Sequence, residues 1–368
     1  MAYMKKHGFD IIMISSDGKE ISEVKERERC SHIIIPFTRT ISLFQDLKCL
    51  YQLIFLIRKE KPDIVHTHTP KAGLLGMLAG KICGVKLKIH TIAGLPLMTA
   101  VGNKRKLLEF TEKLTYWAAD YILPNSNSIM CFVKENKFTK DSKLDIIGRG
   151  SSNGIDLSRF SRNSIQEDIL EKIKNIIHYN SNNKYILSVG RVVKDKGIIE
   201  IVVAFLEMKN SFPNLKLIIV GPLEEERQEE LLPQHIVSTL KTHQDIIHIN
   251  WSDEVEYYMH LADVLVHASY REGFPNVPLQ AGAMECSIIC SEIPGNIDIV
   301  TDQKTGLYFE VGSWKDLSEK IEYALDNYEE MRQYAVVLRE EIETNYKREY
   351  VHKELLKFYK AKLIEKDE

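Results

Sequence analysis

The chain has 368 residues, a length typical of two domains rather than one. With 44% hydrophobic and 27% charged residues, its composition excludes a disordered or collagen-like protein. The longest apolar runs, such as Ile11–Ile14 and Leu53–Ile57, are far shorter than the roughly 20 residues that span a bilayer. The N-terminus lacks the pattern of a secretory signal, and the six cysteines form no CxxC pair, so we expect a cytoplasmic protein without structural zinc.

Charge is divided unevenly along the chain. Residues 1–160 contain 25 Lys and Arg against 16 Asp and Glu, whereas the remaining residues contain 24 against 36. A basic first half favours an anionic partner, either a lipid headgroup layer or a phosphate-bearing substrate. Nucleic acid fits less well because the basic residues are not interleaved with aromatics in a recognisable module. A solvated surface without a partner would give the same composition.

Short β-branched runs alternate with helical patterns through the first half. The helices are predicted at Ser42–Glu60, Ala72–Cys83 and Lys104–Ala119. The predicted strands are Asp10–Ser15, His32–Pro36, Asp63–His66, Leu87–His90, Tyr121–Pro124 and Leu144–Ile147. This alternation is typical of a doubly wound α/β domain. Residues Met1–His7 resemble the end of a helix, so the first strand and glycine turn expected of such a domain are absent before Asp10.

The second half repeats the plan as another Rossmann-like domain. Its predicted strands are Tyr185–Val189, Lys216–Val220, Ile246–Asn250, Val264–His267 and Ile288–Ser291. The polar stretch Asn153–Asp168 is interpreted as a linker because it lacks periodicity. We therefore expect an N-terminal domain over 1–162, a C-terminal domain over 163–346, and a final helix over 347–368 that crosses back to the first domain.

One strand-to-helix turn in the second half combines glycines with cations. Gly190 and Arg191 follow a strand, and Lys196 and Gly197 precede a helix. A diphosphate requires several donors and close backbone approach, and a helix N-terminus adds positive potential. A solvated lysine-rich turn would give the same pattern. A second strand ends at Gly221-Pro222, for which a plain turn is the alternative.

The segment Ser269–Gln280 is more specific. A buried strand leads into a loop containing Glu272, Gly273 and Pro275 before a helix begins. Free amides beside a carboxylate could bind a phosphate and a sugar hydroxyl together, so here the functional interpretation is favoured over a structural one.

This segment resembles the Glu-x7-Glu signature of the family 4 retaining glycosyltransferases. Further residues of the family pattern occur in the expected order: Asn153-Gly-Ile-Asp156 with Phe160, Val189-Gly-Arg191 with Lys196-Gly197, Val220-Gly221, Ala262-Asp263 and Gly295. Thr67–Gly73 and Gly94-Leu-Pro96 resemble the subgroup that builds bacterial capsule, O-antigen and lipid-linked glycans. The resemblance implies the α/β GT-B fold, in which two Rossmann-like domains face a cleft.

The resemblance also implies roles for individual residues. Arg191 and Lys196 would neutralise the departing diphosphate, and Glu272 would bind the donor sugar. His90 matches the active-site histidine of the family, although a packed core histidine is the alternative. His66, His68 and Lys71 could face the acceptor, or the two histidines could only cap a strand. The other residues assigned to substrate binding are Gly190, Gly221, Pro222, Gly273, Phe274, Pro275, Asn276 and Gln280.

Gln280 replaces the second glutamate of the signature. A neutral amide can still hydrogen-bond ribose hydroxyls, but without charge assistance, so we expect slightly weaker donor binding. No Asp-x-Asp motif occurs, and two cations can replace a divalent metal at the diphosphate. We therefore expect neither a metal nor a cofactor.

The function implied is retaining transfer from a UDP-sugar to a glycan acceptor carried on a polyprenyl diphosphate, in bacterial surface polysaccharide synthesis. The basic half would then lie against anionic lipid at the inner face of the plasma membrane, with Lys104-Arg105-Lys106 as a contact. Two alternatives remain: a nucleotide-sugar epimerase of the same fold, and a catalytically silent nucleotide-sugar binding protein.

Overall fold

A computed structural model describes residues 1–18, 20–38, 42–151 and 153–368. The chain divides into two compact units. Unit 1 comprises Met1–Asn153 and Glu349–Glu368, and unit 2 comprises Gly154–Arg348. None of the described helices is both long enough and apolar enough to cross a membrane.

Unit 1 is built on parallel strands with helices on both faces. Its strands are β1 (Ile12–Ser15), β2 (Ser31–Ile34), β3 (Ile64–Thr67), β4 (Leu87–Ile92) and β5 (Tyr121–Pro124). Strands β1 and β2 form one sheet, and β3, β4 and β5 form another in that order. Its first helices are α1 (Ala2–Lys6), α2 (Ile21–Glu28), α3 (Leu43–Glu60), α4 (Pro70–Ile82), α5 (Gly102–Ala118) and α6 (Asn127–Glu135).

Unit 2 has one six-stranded parallel sheet in the order β11-β10-β9-β6-β7-β8. Its strands are β6 (Lys184–Val189), β7 (Leu215–Val220), β8 (Ile246–Ile249), β9 (Val264–His267), β10 (Ile288–Ser291) and β11 (Leu307–Phe309). Its helices are α7 (Glu167–Ile176), α8 (Ile198–Met208), α9 (Gln234–Thr242), α10 (Val255–Leu261), α11 (Asn276–Ala283), α12 (Trp314–Asp326) and α13 (Tyr328–Asn345). The direction of winding reverses between β6 and β9, and open α/β sheets bind ligands outside the carboxyl ends of the strands at such a point.

The last helix, α14 (Arg348–Asp367), belongs to unit 1. Side chains of β4 point alternately to the two faces of the sheet, and those on one face pack against α14. Leu87 and Ile89 point to one face, where Phe358 of α14 packs on them, while Ile92 points to the other face and packs with residues of α4 and α5. The three-stranded sheet of unit 1 therefore lies between α14 and the layer that contains α4 and α5.

The prediction of a strand at Leu144–Ile147 is wrong, because the structure has no strand there. Only Leu144 forms an isolated bridge, with Ile122 of β5. Gly148 and Gly150 follow with positive φ values of 60° and 110°, so the chain turns away before a ladder can form. Strand β11 was not predicted, because a three-residue strand shows too little alternation to be recognised.

The polar stretch interpreted as a linker is largely packed against unit 2. The chain passes from unit 1 to unit 2 between Asn153 and Gly154, before the boundary expected after residue 162. Ile155 and Phe160 are only 4% and 5% exposed and join the core of unit 2, which draws this segment onto the second unit.

Candidate active site

The carboxyl ends of β6 and β7 approach each other very closely. Gly190 and Gly221 follow these strands with φ values of 144° and 149°. A Cβ atom on Gly221 would lie 1.9 Å from the carbonyl oxygen of Gly190, so no side chain fits there. Val192 N donates to Pro222 O at 2.8 Å, which fixes the backbone on either side of Arg191.

Lys196 is positioned by the glycine that follows it. Gly197 is the N-cap of α8 with a φ of 64°, and a Cβ atom there would lie 2.2 Å from the carbonyl oxygen of Ala268. The start of α8 therefore lies directly against the loop after β9. This packing brings the Lys196 ammonium into an ion pair with Glu272.

Glu272 is the centre of a hydrogen-bond network. Its Oε1 accepts from Ser269 Oγ at 2.7 Å, from His267 Nε2 at 3.1 Å and from Lys196 Nζ. Burial by itself would raise the pKa of Glu272, but the hydrogen bond and charge of His267, together with Lys196, lower this pKa to about 2. The carboxylate is therefore ionised at neutral pH. No hydrogen bond between described residues ends on Oε2.

Arg191 lies beside the same network but has different partners. Its guanidinium pairs with Glu230 and lies 3.9 Å from Glu224, and its side chain is 42% exposed. Arg191 and Lys196 both line one small cavity, which is completed by Ser188, Val189, Gly190, Ile198, His267, Ala268 and Ser269. The structure thus brings the two predicted cations and Glu272 together at the carboxyl edge where winding reverses.

The loop after Glu272 presents backbone rather than side chains. Phe274 is only 8% exposed, and its ring packs 5.3 Å from that of Tyr346, so only its main chain is available to a ligand. Pro275 is the N-cap of α11, which begins at Asn276 and carries Gln280. A Cβ atom on Gly295 would lie 2.8 Å from Gly273 O, which shows how closely the turn after β10 packs on this loop.

His90 in unit 1 is a packed, neutral histidine. It is 2% exposed, its Nδ1 lies 2.8 Å from Thr67 Oγ1, and a Cβ atom on Gly73 would lie 2.4 Å from its Cε1. Burial, followed by the charge of His68, lowers the pKa of His90 to about 3. Among the described residues, no hydrogen bond reaches its Nε2.

The other predicted residues of unit 1 have internal partners. His66 lies 2.7 Å from Thr91 Oγ1 and 2.5 Å from Tyr359 OH, and its ring centroid lies 4.2 Å from that of His68. Burial, with smaller contributions from His68 and His90, holds the pKa of His66 well below its usual value. Lys71 pairs with Asp46 at 2.6 Å.

Sequence reasoning missed the partners of Glu272 and Arg191. His267 ends a fully buried strand at the carboxyl edge, and a titratable residue in that position is a signal that could have been used. Ser269 begins the segment Ser269–Gln280, but the sequence assigned it no role. Glu230 follows an acidic stretch that resembles any solvated surface, so its pairing with Arg191 had no signal in the sequence.

Two family models match the chain. The one described as "Glycosyl transferases group 1" matches residues 170–336, and the one described as "Glycosyl transferase 4-like" matches residues 1–126. Among curated proteins, the chain is 32% identical over 366 residues to the capsular polysaccharide biosynthesis glycosyltransferase CapM of Staphylococcus aureus, covering 99% of this chain and 93% of that protein. It is 26% identical to the Escherichia coli UDP-Gal:alpha-D-GlcNAc-diphosphoundecaprenol alpha-1,3-galactosyltransferase, covering 82% of this chain and 76% of that one.

Solved structures share the same architecture. A glycosyltransferase from Rickettsia africae ESF-5 superposes with a TM-score of 0.80 at 21% identity, covering 98% of this chain and 92% of that one. Anabaena HepE in complex with UDP and glucose superposes with a TM-score of 0.80 at 13% identity, covering 98% and 94%. These similarities confirm the predicted fold class.

Proposed function

The chain belongs to the group 1 glycosyl transferases, and its N-terminal region matches the glycosyl transferase 4-like model. We propose that it transfers a sugar from a UDP-sugar to a glycan on a polyprenyl diphosphate. The transfer would retain the anomeric configuration and serve bacterial surface polysaccharide assembly. Support for donor and acceptor comes from the Escherichia coli relative, whose name specifies UDP-Gal and a diphosphoundecaprenol acceptor. Support for capsule assembly comes from the name of CapM.

The observation that carries the proposal is the cavity at the carboxyl edge of unit 2 that Arg191 and Lys196 both line, with Lys196 paired to Glu272 and Arg191 paired to Glu230. Carboxylates of the chain pair with both cations. A diphosphate has more negative charge than either carboxylate and can approach through the glycine-lined strand ends, where the start of α8 adds positive potential. Negative charge grows on the diphosphate as the sugar leaves, and these cations would stabilise it most in the transition state.

Glu272 supplies an acceptor for the donor sugar. Three donors already occupy Oε1, and they fix the carboxylate in one orientation. Oε2 is then available to accept a sugar hydroxyl in a charge-assisted hydrogen bond. Gly273 and the main chain from Phe274 to Asn276 would approach the sugar and phosphate, with Gln280 at the ribose.

The proposal needs neither a metal ion nor a cofactor, because Arg191 and Lys196 provide the positive charge that a divalent cation would supply. For the acceptor we assign His66, His68, Lys71 and His90 of unit 1. The basic first half of the chain would lie near anionic lipid at the cytoplasmic face of the plasma membrane, where a polyprenyl-linked acceptor is found.

A single incubation distinguishes the proposal from its alternatives. The full chain is mixed with radiolabelled UDP-sugars and a lipid-linked acceptor, and the products are separated. Label in the lipid fraction supports a transferase. Free isomerised UDP-sugar would instead indicate an epimerase, and UDP binding without turnover would indicate a silent binding protein, the alternative that the neutral Gln280 favours.

A further inference from the structure

Helix α3 is apolar on two opposite sides. Its inner side packs in the core of unit 1 through Cys49, Leu53 and Ile57, which are at most 5% exposed. Its outer side carries large side chains that remain in solvent: Phe44 at 92% exposure, Tyr51 at 71%, Phe55 at 64% and Leu47 at 63%. A helix that covers a core normally has a polar outer side, and a contiguous apolar stripe in solvent marks an interaction surface.

The four outer side chains form one stripe. At 3.6 residues per turn, Phe44, Leu47, Tyr51 and Phe55 fall within an arc of about 80° around the helix axis. The stripe therefore follows the helix from its first turn to its last third. Isolated surface hydrophobic residues are ordinary, but a continuous line of them is not.

Cations border the stripe and carboxylates do not. By the same geometry, Lys48 and Arg58 lie within about 60° of the centre of the stripe, whereas Asp46 and Glu60 lie on the opposite half of the helix. Asp46 is already paired with Lys71. Within the described ranges neither Lys48 nor Arg58 has an ion-pair partner, so both charges are available to an anionic surface.

The helix is also on the accessible side of its unit. Residues of α3 and α4 share one core cluster with Val65 of β3, on the sheet face opposite α14. Helix α5 also packs against α4 and adds exposed Phe110 and Trp117, with the Lys81 ammonium 4.3 Å from the centroid of the Trp117 ring. Aromatic and cationic side chains therefore recur across this helical layer.

We propose that the outer face of α3, formed by Phe44, Leu47, Lys48, Tyr51, Phe55 and Arg58, docks on a bilayer that contains anionic phospholipid. The aromatic rings enter the boundary between headgroups and acyl chains while Lys48 and Arg58 contact lipid phosphates. The inference rests on the proposed function only in placing a lipid-linked acceptor at the same membrane. Docking itself requires neither donor nor acceptor.

Charge argues for a bilayer rather than a second copy of the chain. A symmetric dimer through this face would bring the same patch against itself, with cations on both sides and no carboxylate to pair with them. An anionic bilayer supplies the missing negative charge along the whole stripe.

The test is sedimentation of the full chain with vesicles of phosphatidylglycerol and phosphatidylcholine. We expect the wild-type chain to bind these vesicles, and Phe44→Ser with Phe55→Ser to reduce partitioning about tenfold or more. Lys48→Glu with Arg58→Glu should reduce it by at least roughly tenfold, and pure phosphatidylcholine should bind the wild type weakly. These positions are solvent-exposed, so the substitutions leave the core intact.

Ile364→Ser is the matched control, because Ile364 is 60% exposed on α14 at the other face of unit 1. It should bind as the wild type does. A Phe55→Trp variant should show a blue-shifted emission on addition of anionic vesicles. Unchanged partitioning of the α3 variants would overturn the proposal, as would a wild-type dimer that the serine substitutions convert to a monomer.

Failure of docking and failure of the proposed function can be told apart. Transfer to an acceptor lacking the polyprenyl tail should be the same in the wild type and in the Phe44→Ser, Phe55→Ser variant. Vesicle binding without any transfer would contradict only the proposed function. Transfer without any vesicle binding would contradict only the docking surface.

Discussion

Lys196 and Arg191 differ in how firmly they are held. Lys196 is about one-quarter exposed and pairs with a buried carboxylate, whereas Arg191 is more exposed and pairs with Glu230 in the loop before α9. Replacing either by Ala should raise the barrier to sugar transfer by about 2–4 kcal/mol, because leaving-group charge loses its counter-charge. Initial rates at saturating donor measure this effect. Lys194→Ala is the control, since Lys194 belongs to the same turn but does not line the cavity; a rate loss equal to that of Lys196→Ala would contradict the assignment.

Glu272 makes stability depend on pH. Its pKa is about 2 in the folded chain against an ordinary value of 4.5, because the donors from His267 and Lys196 outweigh burial. A depressed carboxyl pKa contributes stability that is fully present above 4.5 and is lost as pH falls toward 2. The contribution is about 3 kcal/mol at neutral pH. The difference in unfolding free energy between the wild type and Glu272→Gln, measured in urea, should therefore be largest at pH 6 and fall to less than about half of that value by pH 3. A difference that does not vary with pH would show that the carboxylate is not ionised in this network.

At the scale of elements, glycines in the turns allow the close backbone packing on which the candidate site depends. Gly197 has both a φ of 64° and a close backbone neighbour, Ala268 O. Gly84 has a similar φ of 67° but open space around it. Gly84→Ala should cost only the left-handed conformation, about 1 kcal/mol, whereas Gly197→Ala should add a steric clash and lower Tm by several degrees more. Equal shifts in calorimetry would mean that α8 does not pack on the loop after β9 in solution.

The sequence predicted the bounds of strands best where the strand is buried, because burial requires apolar residues. Tyr121–Pro124, Val264–His267 and Ile288–Ser291 have the predicted bounds because buried parallel strands are nearly continuous apolar runs. The cationic turn and the Glu272 loop could also be identified, because each follows a buried strand and both match the pattern of the family that the sequence resembles. Ion-pair partners such as Glu230 could not, since long-range pairing depends on loop positions that local sequence does not encode.

At the scale of the whole molecule, α14 returns the chain to its first unit. Phe358 packs with Leu87, Ile89 and Leu123, and Tyr359 reaches His66. Phe358→Ala should lower the free energy of unfolding of unit 1 by about 3 kcal/mol, measured by urea denaturation with the fluorescence of Trp117 in a chain in which Trp251 and Trp314 are replaced by Phe. Ile364→Ala, at an exposed site on the same helix, should change it by no more than about 0.5 kcal/mol. Equal effects would mean that α14 does not complete the core of unit 1.

The two units also differ in what sequence reveals of their roles. In unit 2, Lys196 pairs with Glu272 and shares a cavity with Arg191, so the residues of the proposed donor site lie at one edge of the sheet. In unit 1, His66, His90 and Lys71 have internal partners, so spacing alone could not separate an acceptor site from a packed core.

The most direct measurement compares the affinities of UDP and uridine by isothermal titration calorimetry, in the wild type and in an Arg191→Met, Lys196→Met double variant. If the two cations hold the diphosphate, the wild type binds UDP much more tightly than uridine, and the double variant loses most of that preference while keeping its affinity for uridine. A double variant that still prefers UDP to the same extent would contradict the assignment of this edge of unit 2 as the donor diphosphate site.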